Sequence, residues 1–422
     1  MKKILIVNNN MKVGGVQKSL YNLLWSIDHR KYQVTLLLFS KRGAYIDDLP
    51  PEVRVAECRG PFRYLGMSQG ECRGLKDRLV RGLLAASSRI IGRKSTLALT
   101  AVFQKKEREE YDCAISFLHN GRARSFYGGT QDYLLYCVKA RKKVAFLHCD
   151  YRNCGADHKE NNEMLARFDL IAACSEGCKR AFEKTVPQLA ERCVTVSNCH
   201  RFDLIRELAE QDPIQYDKEP LNALIVARLS REKGIERAIE AVGIAKGRGL
   251  PVRLHVVGGG ALSRELQGQA REAGLEGQVL FYGEQSNPYR YMKNADLLVL
   301  SSYHEAAPMV IDEARCLGLP VLTTQTTSAQ DMVAERGCGF VCENSKEGIA
   351  EALCRIAADR TALNTLRRTL ENSPADNRRG LEQFDALTEE CGLPQSAGRV
   401  LSKDDKSRMG KSPSCGINEN DL

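Results

Sequence analysis

The sequence is poor in aromatic residues and in long apolar runs. Aromatic side chains make up 6% of the 422 residues, with one tryptophan. No apolar run reaches the roughly 18 residues that a membrane-spanning helix needs. The first residues, 2–7, read as a strand and not as a leader, so no signal peptide is expected. These absences predict a cytoplasmic protein without a transmembrane helix.

Cysteine is abundant, but its spacing does not match a zinc finger. The chain has 16 cysteines. Cys149, Cys154 and His158 form one close group and Cys174 with Cys178 another, and neither has the paired spacing of a zinc-finger site. In a reducing cytoplasm the thiols are expected to stay reduced and to act mainly as small buried apolar side chains. The prediction is therefore that the protein has no metal site and no cofactor.

Short apolar strands alternate with helical segments along most of the chain. With a hydrophobic content of 43%, this alternation predicts layered α/β domains. A chain of 422 residues is long enough for two domains, each of ~100–200 residues. The predicted strands are residues 3–8, 33–39, 113–117, 143–147, 170–174 and 194–197 in the first half, and 223–227, 252–257, 278–282, 296–300 and 320–323 in the second.

A polar stretch over residues 210–220 is predicted to separate the two domains. It contains Pro213 and Pro220 and has no apolar periodicity, which is typical of a hinge. The end of the chain is rich in Lys, Asp, Ser, Asn and Gly, which indicates disorder. The predicted organisation is a first α/β domain over 1–212, a second α/β domain over 213–375, a helix over 376–391 and a disordered tail over 392–422.

Two basic residues form the first candidate site. Arg228 and Lys233 follow the predicted strand 223–227, where a helix begins. Open α/β sheets bind ligands at the carboxyl ends of their strands. A guanidinium group grips phosphate oxygens with two hydrogen bonds, and an ammonium group adds a mobile positive charge. This pair is predicted to bind a diphosphate and to stabilise a leaving nucleoside diphosphate, without requiring a metal.

Two glutamates form the second candidate site. Glu305 lies in the loop after a predicted strand, and Glu313 follows it after seven intervening residues. Pro308 is predicted to be the first residue of the next helix, so the free N–H groups of Met309 and Val310 would form an anion site. A carboxylate accepts two hydrogen bonds, which suits the paired hydroxyls of a ribose or a hexose. Together the two sites indicate a nucleotide-sugar site and glycosyl transfer.

The order of these features closely resembles glycosyltransferase family 4. The resemblance rests on residues 227–234 and 287–324, on the opening strand, and on Gly14 and Gly15, and it covers most of the first 350 residues. It implies an α/β protein of GT-B architecture, in which two Rossmann-like doubly wound parallel-sheet domains face a central cleft. The first domain, 1–212, would lie on the acceptor side, and the second, 213–375, would bind the nucleotide-sugar. The helix over 376–391 would cross back to the first domain. The implied enzyme is retaining and metal-independent, and a UDP-sugar is the expected donor.

The resemblance also implies roles for single residues of the second domain. Arg228 and Lys233 match the diphosphate pair of the family. Glu313 matches the carboxylate that binds the ribose, and Glu305 matches the carboxylate near the donor sugar. Each of these side chains alone would also fit an ordinary surface role. Their joint occurrence in the order of the family favours the site.

Three residues of the first domain complete the implied site. Gly14 and Gly15 match the loop that approaches the donor across the cleft, where a missing Cβ lets backbone come close to phosphate. His148, directly after a predicted strand, matches the histidine that contacts the transferred sugar, and it is assigned to sugar positioning and charge stabilisation. An interior histidine and a glycine turn are the structural alternatives.

Three positions depart from the family pattern. Ala306 stands where glycine commonly follows the first glutamate, Asp312 stands where an aliphatic residue commonly precedes the second, and Gln17 replaces a common glutamate. The first two changes are expected to bear on sugar specificity and not on whether donor binds. The third removes one charge near the cleft.

A basic amphipathic segment over residues 59–94 suggests a membrane surface as a partner. It holds nine Lys or Arg against two acids, while the formal charge of the whole chain is +9. Such a helix can rest on an anionic inner leaflet, where a lipid-linked acceptor would be met, and the protein would then be peripheral. The same pattern also fits a helix that packs on a sheet, and both interpretations stay open. Nucleic-acid binding is not expected because no aromatic platform accompanies the charge.

Three functions are compatible with the sequence. The first is a glycosyltransferase that moves a sugar from a nucleotide donor to a glycan or lipid-linked acceptor, in the biosynthesis of cell-surface polysaccharide. The second is a GT-B sugar-nucleotide epimerase, which needs no glycan acceptor. The third is a non-catalytic GT-B partner subunit, which is disfavoured because Arg228, Lys233 and Glu313 are all present.

Overall fold

Two parallel β-sheets organise the chain. The computed structural model describes residues 1–72 and 74–389, so the predicted tail over 392–422 lies outside the described residues. The strands of the first sheet are β1 (Lys2–Asn8), β2 (Tyr32–Leu38), β3 (Arg54–Glu57), β4 (Glu110–Ser116), β5 (Lys139–Leu147), β6 (Leu170–Ala173) and β7 (Cys193–Thr195). The strands of the second sheet are β8 (Leu221–Val226), β9 (Val252–Val257), β10 (Val279–Gly283), β11 (Leu297–Leu300), β12 (Val321–Thr324) and β13 (Gly339–Cys342).

Helices connect most successive strands, as parallel pairing requires. Those of the first half are α1 (Gly15–Ser26), α2 (Gly74–Ile90), α3 (Arg93–Val102), α4 (Thr130–Cys137), α5 (Lys159–Leu165), α6 (Glu176–Thr185) and α7 (Phe202–Glu210). Those of the second half are α8 (Ile235–Gly247), α9 (Ser263–Glu272), α10 (Tyr289–Met292), α11 (Met309–Cys316), α12 (Lys346–Ala358), α13 (Thr361–Glu371) and α14 (Arg378–Thr388).

Both sheets have the doubly wound strand order. The first runs β3-β2-β1-β4-β5-β6-β7 and the second β10-β9-β8-β11-β12-β13, with every recorded pair parallel. The order reverses between β1 and β4 in one sheet and between β8 and β11 in the other. At such a switch point the loops after the strands diverge and leave a crevice for ligands. The predicted fold class, two Rossmann-like parallel-sheet domains, is confirmed.

The central strands are apolar runs because helices cover both of their faces. Residues 4–7 of β1 are fully buried, and so are most residues of β8. The edge strands β3 and β13 are exposed or half-buried along their length. Neither strand was predicted from the sequence.

The described chain ends on the first sheet. Phe384 and Leu387 of α14 pack with Ile4 and Tyr32 in one apolar cluster, and the Tyr32 hydroxyl donates to Asp385 Oδ1 at 2.7 Å. Residues Met1–Thr388 form one compact unit. The domain boundaries proposed from the sequence stay predictions. Among the described residues, no helix combines the length and the apolar character needed to cross a bilayer.

The helix α2 leaves four large apolar side chains in solvent. Leu75, Leu79, Leu83 and Ile90 are 74%, 56%, 70% and 78% exposed, and Ser88 is the one buried residue of this helix. The interpretation in which these four side chains pack on the sheet is therefore wrong. This face of α2 is free to meet something outside the described chain.

Candidate functional site

The basic pair of the second sheet lies directly after β8. Arg228 is exposed and its Nη2 lies 3.2 Å from Glu232 Oε1. Lys233 ends a 3₁₀ turn, and its Nζ lies 2.7 Å from Glu305 Oε1 in an ion pair whose side chains are 23% and 10% exposed. The structure therefore brings together one residue from each of the two predicted clusters, at the carboxyl edge of the sheet.

The loop after β11 is fixed by hydrogen bonds. Ser302 Oγ donates to Glu305 Oε1 at 2.6 Å, and Ser301 Oγ donates to the Lys233 carbonyl at 2.9 Å. Gly234 has the left-handed φ of 56°, and a Cβ there would overlap the Ser301 carbonyl oxygen. Glycine at this position thus permits the close approach of the β8 and β11 loops on which the Lys233–Glu305 pair depends.

The sequence analysis did not identify Arg237, which binds the loop that follows β11. Its buried guanidinium donates to the Ser301 carbonyl and to Asn344 Oδ1, the latter at 2.8 Å. The same group lies 3.8 Å from the ring centroid of Tyr303. Arginine in the first turn of a helix gives no sequence signal for such a role, because its partners are backbone atoms distant in the chain.

The helix α11 begins one residue later than predicted. Pro308 has an extended ψ of 117° and caps the helix, so Met309 is its first residue. The N–H groups of Met309 and Val310 lie in the first turn, where a helix supplies no carbonyl partner. Glu313 lies one turn further along and is 3% exposed.

Glu313 is paired with a lysine from the first half of the chain. Lys18 Nζ lies 2.6 Å from Glu313 Oε1 and donates a hydrogen bond to the Tyr289 hydroxyl at 2.9 Å. Burial alone would lower the pKa of Lys18, but the attraction of Glu313 and of Tyr289 outweighs it and raises that pKa above its ordinary value. The lysine stays charged, and it links α1 to α11. The sequence analysis did not identify Lys18, because its partner is 295 positions away.

The two glycines before α1 differ in their surroundings. Gly14 caps the helix, and a Cβ on it would lie 2.6 Å from Gln17 Oε1. A Cβ on Gly15 would meet no heavy atom within 4 Å. The backbone at Gly15 therefore borders open space, as a loop that accepts a ligand would require.

His148 follows β5 and lies among aromatic rings. Its ring centroid is 4.6 Å from that of Phe117 and 5.5 Å from that of Phe146. Burial, with a smaller effect of His119, lowers the pKa of His148 to about 3. Its Nε2 is buried without a hydrogen-bond partner among the described residues. The imidazole is thus neutral near pH 7, which suits hydrogen bonding to a sugar better than stabilisation by a full positive charge.

Asp312 is one of the departures from the family pattern. It pairs with none of the charged residues of the candidate site. Its Oδ1 lies 2.7 Å from Arg336 Nη1 and 3.4 Å from Arg315 Nη1, and its Oδ2 lies 3.6 Å from His200 Nε2. Burial alone would raise the pKa of Asp312, but His200 and Arg336 lower it to about 2. This carboxylate joins α11 to the segment that precedes α7.

Polar contacts connect the carboxyl ends of the two sheets. Ser175 Oγ donates to the Ala306 carbonyl at 2.8 Å, and Thr327 Oγ1 donates to the Asp150 carboxylate. The loops after β5 and β6 therefore face the loops after β11 and β12. The structure places His148 on one side of this junction and Glu305 on the other. The ligand roles of these residues stay predictions.

The comparison with protein families matches part of the second half of the chain. Residues 208–375 match the family model of glycosyl transferases group 1. A lipopolysaccharide 1,6-galactosyltransferase of Salmonella typhimurium (strain LT2) is 30% identical over 207 residues, or 47% of this chain and 55% of that protein. The lipopolysaccharide glucosyltransferase WaaG of Escherichia coli (strain K12) is 33% identical over 191 residues, or 44% and 47% of the two chains. The chain thus spans about half the length of these curated relatives.

Solved structures match nearly the whole fold. Anabaena Alr3699/HepE in complex with UDP and glucose has a TM-score of 0.63 at 19% identity, covering 92% of this chain and 99% of that one. WaaG, a glycosyltransferase involved in lipopolysaccharide biosynthesis, has a TM-score of 0.58 at 16% identity, covering 91% and 98%. These similarities confirm the GT-B fold that the sequence resemblance implied.

Proposed function

We propose that this chain is a glycosyltransferase that moves a sugar from a nucleotide donor to a glycan or lipid-linked acceptor. The observation that carries the proposal is the Lys233–Glu305 ion pair, 2.7 Å long, at the carboxyl edge of the second sheet. The pair lies within residues 208–375, the segment that matches the family model. The names of the relatives, which are lipopolysaccharide and amylovoran glycosyltransferases, support cell-surface polysaccharide biosynthesis as the setting.

The donor is proposed to be a UDP-sugar. Anabaena Alr3699/HepE shares the fold and was crystallised with UDP, with UDP and glucose, and with UDP-glucose. In the proposed complex Lys233 leaves its ion pair with Glu305 and binds the diphosphate instead. The diphosphate also contacts Arg228 and the N–H groups of Met309 and Val310. These donors would stabilise the charge that develops on the leaving UDP, so no metal ion is needed there.

The carboxylates are proposed to bind hydroxyl groups of the same donor. Glu305, once separated from Lys233, accepts from the sugar, and Glu313 accepts from the ribose. The open space beside Gly15 admits the diphosphate, and neutral His148 contacts the transferred sugar. The configuration at the anomeric carbon is retained, because the departing phosphate deprotonates the acceptor on the face that UDP leaves.

The acceptor side is proposed to rest on an anionic membrane. We define the α2–α3 apolar surface as the exposed side chains Leu75, Leu79, Leu83, Ile90, Ile91, Leu99, Val102 and Phe103. Exposed basic residues of the same helices, including Lys76, Arg78 and Arg89, would meet lipid phosphates. This surface would hold the enzyme at the inner face of the membrane, where lipid-linked acceptors occur.

Donor binding and turnover provide the first test. UDP, GDP and ADP should be compared by calorimetry with and without EDTA, and UDP-sugars should then be incubated with lipid-linked oligosaccharide. The proposal predicts that UDP binds most tightly, indifferent to EDTA, and that a product with the donor's anomeric configuration appears by NMR. A free sugar or an epimer formed without acceptor would favour the epimerase. Absence of UDP binding would favour a non-catalytic partner.

Vesicle binding tests the membrane surface separately. Leu79→Glu with Leu83→Glu should release the protein from vesicles of phosphatidylglycerol and phosphatidylethanolamine, while UDP affinity stays unchanged. The basic residue Arg81 of α2 is left unchanged in this test. It donates to the Met67 carbonyl at 2.8 Å, so its substitution would also disturb the local fold. Trp25→Ala, which removes a 38% exposed aromatic ring from another helix, is the control. Equal vesicle binding by the double variant would refute the membrane surface.

A further inference from the structure

Three potential metal ligands meet beside the loop of His148. One ligand atom each from His119, Cys149 and Cys154 lies within 4.8 Å of the other two. The two sulfur atoms are 3.1 Å apart. The sequence had grouped both cysteines with His158, but His158 Nε2 instead lies 3.3 Å from the carbonyl oxygen of Gly121. The fold supplies a different histidine, from another loop.

Strand pairing explains why these residues meet. The strands β4 and β5 are parallel neighbours in which Ser116 pairs with Ala145. His119 follows the carboxyl end of β4 and Cys149 follows the carboxyl end of β5. Loops at the same end of adjacent parallel strands lie side by side, so the histidine and the first cysteine are brought together by the sheet itself.

Hydrogen bonds within the loop hold the second cysteine. The Cys154 N–H donates to the Asp150 carbonyl at 2.9 Å, and Asn153 Nδ2 donates to the Asp150 carboxylate at 2.8 Å. Gly155 follows with a left-handed φ of 75°. These contacts hold the backbone of Cys154 close to the segment that carries Cys149.

The three side chains of the cluster are buried or half-buried. Cys149 is 8% exposed, while His119 and Cys154 are half-buried. His119 Nδ1 is buried and has no hydrogen-bond partner in the part of the chain that the structure describes. Two thiols and an imidazole form a soft donor set of the kind that binds Zn²⁺. An oxygen-seeking ion such as Mg²⁺ would not suit these ligands.

We propose that His119, Cys149 and Cys154 bind one thiophilic divalent cation, with Zn²⁺ as the representative ion. On binding, each thiol releases its proton to solvent, and the two thiolates and the imidazole form three bonds to the metal. A tetrahedral ion keeps one further position for a water molecule or an added thiol. This site shares no residue with the proposed diphosphate site, and the proposal does not depend on the proposed transferase activity.

The position of this metal site gives it a structural consequence. Asp150, between the two cysteines, accepts a hydrogen bond from Thr327 in the second half of the chain. His148 directly precedes Cys149. An ion that joins the cysteine loop to His119 would stiffen the loop that carries both of these residues.

Cobalt provides the probe for this site. The full chain, reduced and freed of metal, is titrated with Co²⁺, which gives a thiolate-to-metal charge-transfer band in the near ultraviolet. The proposal predicts one Co²⁺ per chain, displaced by Zn²⁺, and a rise of the melting temperature with Zn²⁺ by mass action. Cys149→Ser, Cys154→Ser and His119→Ala should each lower the Zn²⁺ affinity by more than about tenfold. His158→Ala, the neighbouring histidine, should bind like the wild type.

Several outcomes would overturn the site. One is the absence of a stoichiometric Co²⁺ spectrum from protein whose thiols are all titratable. Another is a spectrum that survives in Cys149→Ser and Cys154→Ser but disappears in Cys174→Ser or Cys178→Ser. A third is a disulfide between Cys149 and Cys154, found by mass spectrometry of protein that was alkylated as isolated, before any reductant was added. Circular dichroism of each variant identifies any loss of binding that comes from misfolding.

Discussion

The two halves of the candidate site differ in what they offer a ligand. The second half presents charges that are already paired, with Arg228 on Glu232 and Lys233 on Glu305. The first half presents open space at Gly15 and a neutral ring at His148, and its Lys18 forms an ion pair with Glu313 of the second half. The family model matches residues 208–375, which lie mainly in the second half and contain its paired charges.

This difference indicates how the proposed reaction is divided. Phosphate groups and sugar hydroxyls are bound by charged residues, and the types and spacing of such residues can be read from a sequence. Room for a ligand is a property of shape, which many sequences provide. The charged groups of the second half therefore leave a pattern in the sequence, whereas the open space at Gly15 and the aromatic surroundings of His148 are seen only in the structure.

Substituting one glycine from each half should give the largest contrast. Gly234→Ala introduces a Cβ at a left-handed φ and against the Ser301 carbonyl, and we expect a loss of about 2–4 kcal/mol in the free energy of unfolding. Gly15→Ala enters open space within a helix, and stability should change by less than about 1 kcal/mol, while UDP affinity falls. Urea denaturation and calorimetry measure the two effects. Equal stability losses in the two variants would contradict the contrast.

Removing a basic residue of the second half should weaken donor binding strongly. One charge-assisted contact is worth roughly 1.5–3 kcal/mol, so Lys233→Ala should weaken UDP binding by roughly 10–100-fold. Arg231→Ala, in the same 3₁₀ turn and exposed, is the matched control and should bind UDP normally. Isothermal calorimetry gives both dissociation constants. Normal UDP binding by Lys233→Ala would place the diphosphate elsewhere.

The ion pair between the halves can be tested by a double-mutant cycle. Lys18→Met leaves the buried Glu313 carboxylate without its partner and should cost about 1–3 kcal/mol of unfolding free energy. Adding Glu313→Gln removes that charge and should restore part of the loss. A coupling energy above about 0.5 kcal/mol in urea denaturation is expected. Strictly additive effects would mean that the two residues do not interact in solution.

The smallest expected effect is a pH dependence that arises in the first half. Burial lowers the pKa of His119 to about 4 and of His148 to about 3, whereas an unfolded histidine titrates near ~6.5. Below that value the unfolded chain binds more protons than the folded one. The stability from these rings is thus complete above about pH 6.5 and is lost as the pH falls toward 4.

His148→Phe keeps a ring between its neighbours and removes the titrating group. The melting temperature of this variant, measured from pH 8 to pH 5, should decline less steeply than that of the wild type. His304→Gln, at an exposed position of the second half, is the control and should follow the wild-type profile. Parallel profiles for His148→Phe and the wild type would contradict the assignment.

The sequence predicted the central strands and the charged clusters because both leave local patterns. Runs such as residues 4–7 are apolar without interruption, and Arg228 and Lys233 lie at a fixed distance from a strand end. The strands β3 and β13 were missed; both are four residues long and neither contains a fully buried residue. The exposure of the α2 face could not be foreseen either, since an amphipathic pattern does not say what covers it.

Contacts between distant parts of the chain account for the remaining misses. Lys18 contacts Glu313, and Cys149 lies near His119, because the fold brings together segments that are far apart in the sequence. Sequence proximity suggested His158 as the third member of the thiol group, and strand pairing brought in another histidine. Spacing along the chain predicts partners within one turn or one loop, and it carries no information on which loops adjoin.

Arg237 has a consequence for the thermodynamics of ligand capture. By binding the Ser301 carbonyl and stacking on Tyr303, it immobilises the segment that leads to Glu305. The conformational entropy of that segment is lost when the chain folds and not when a ligand arrives. Association should then show a small entropic penalty and little backbone rearrangement on this side of the cleft.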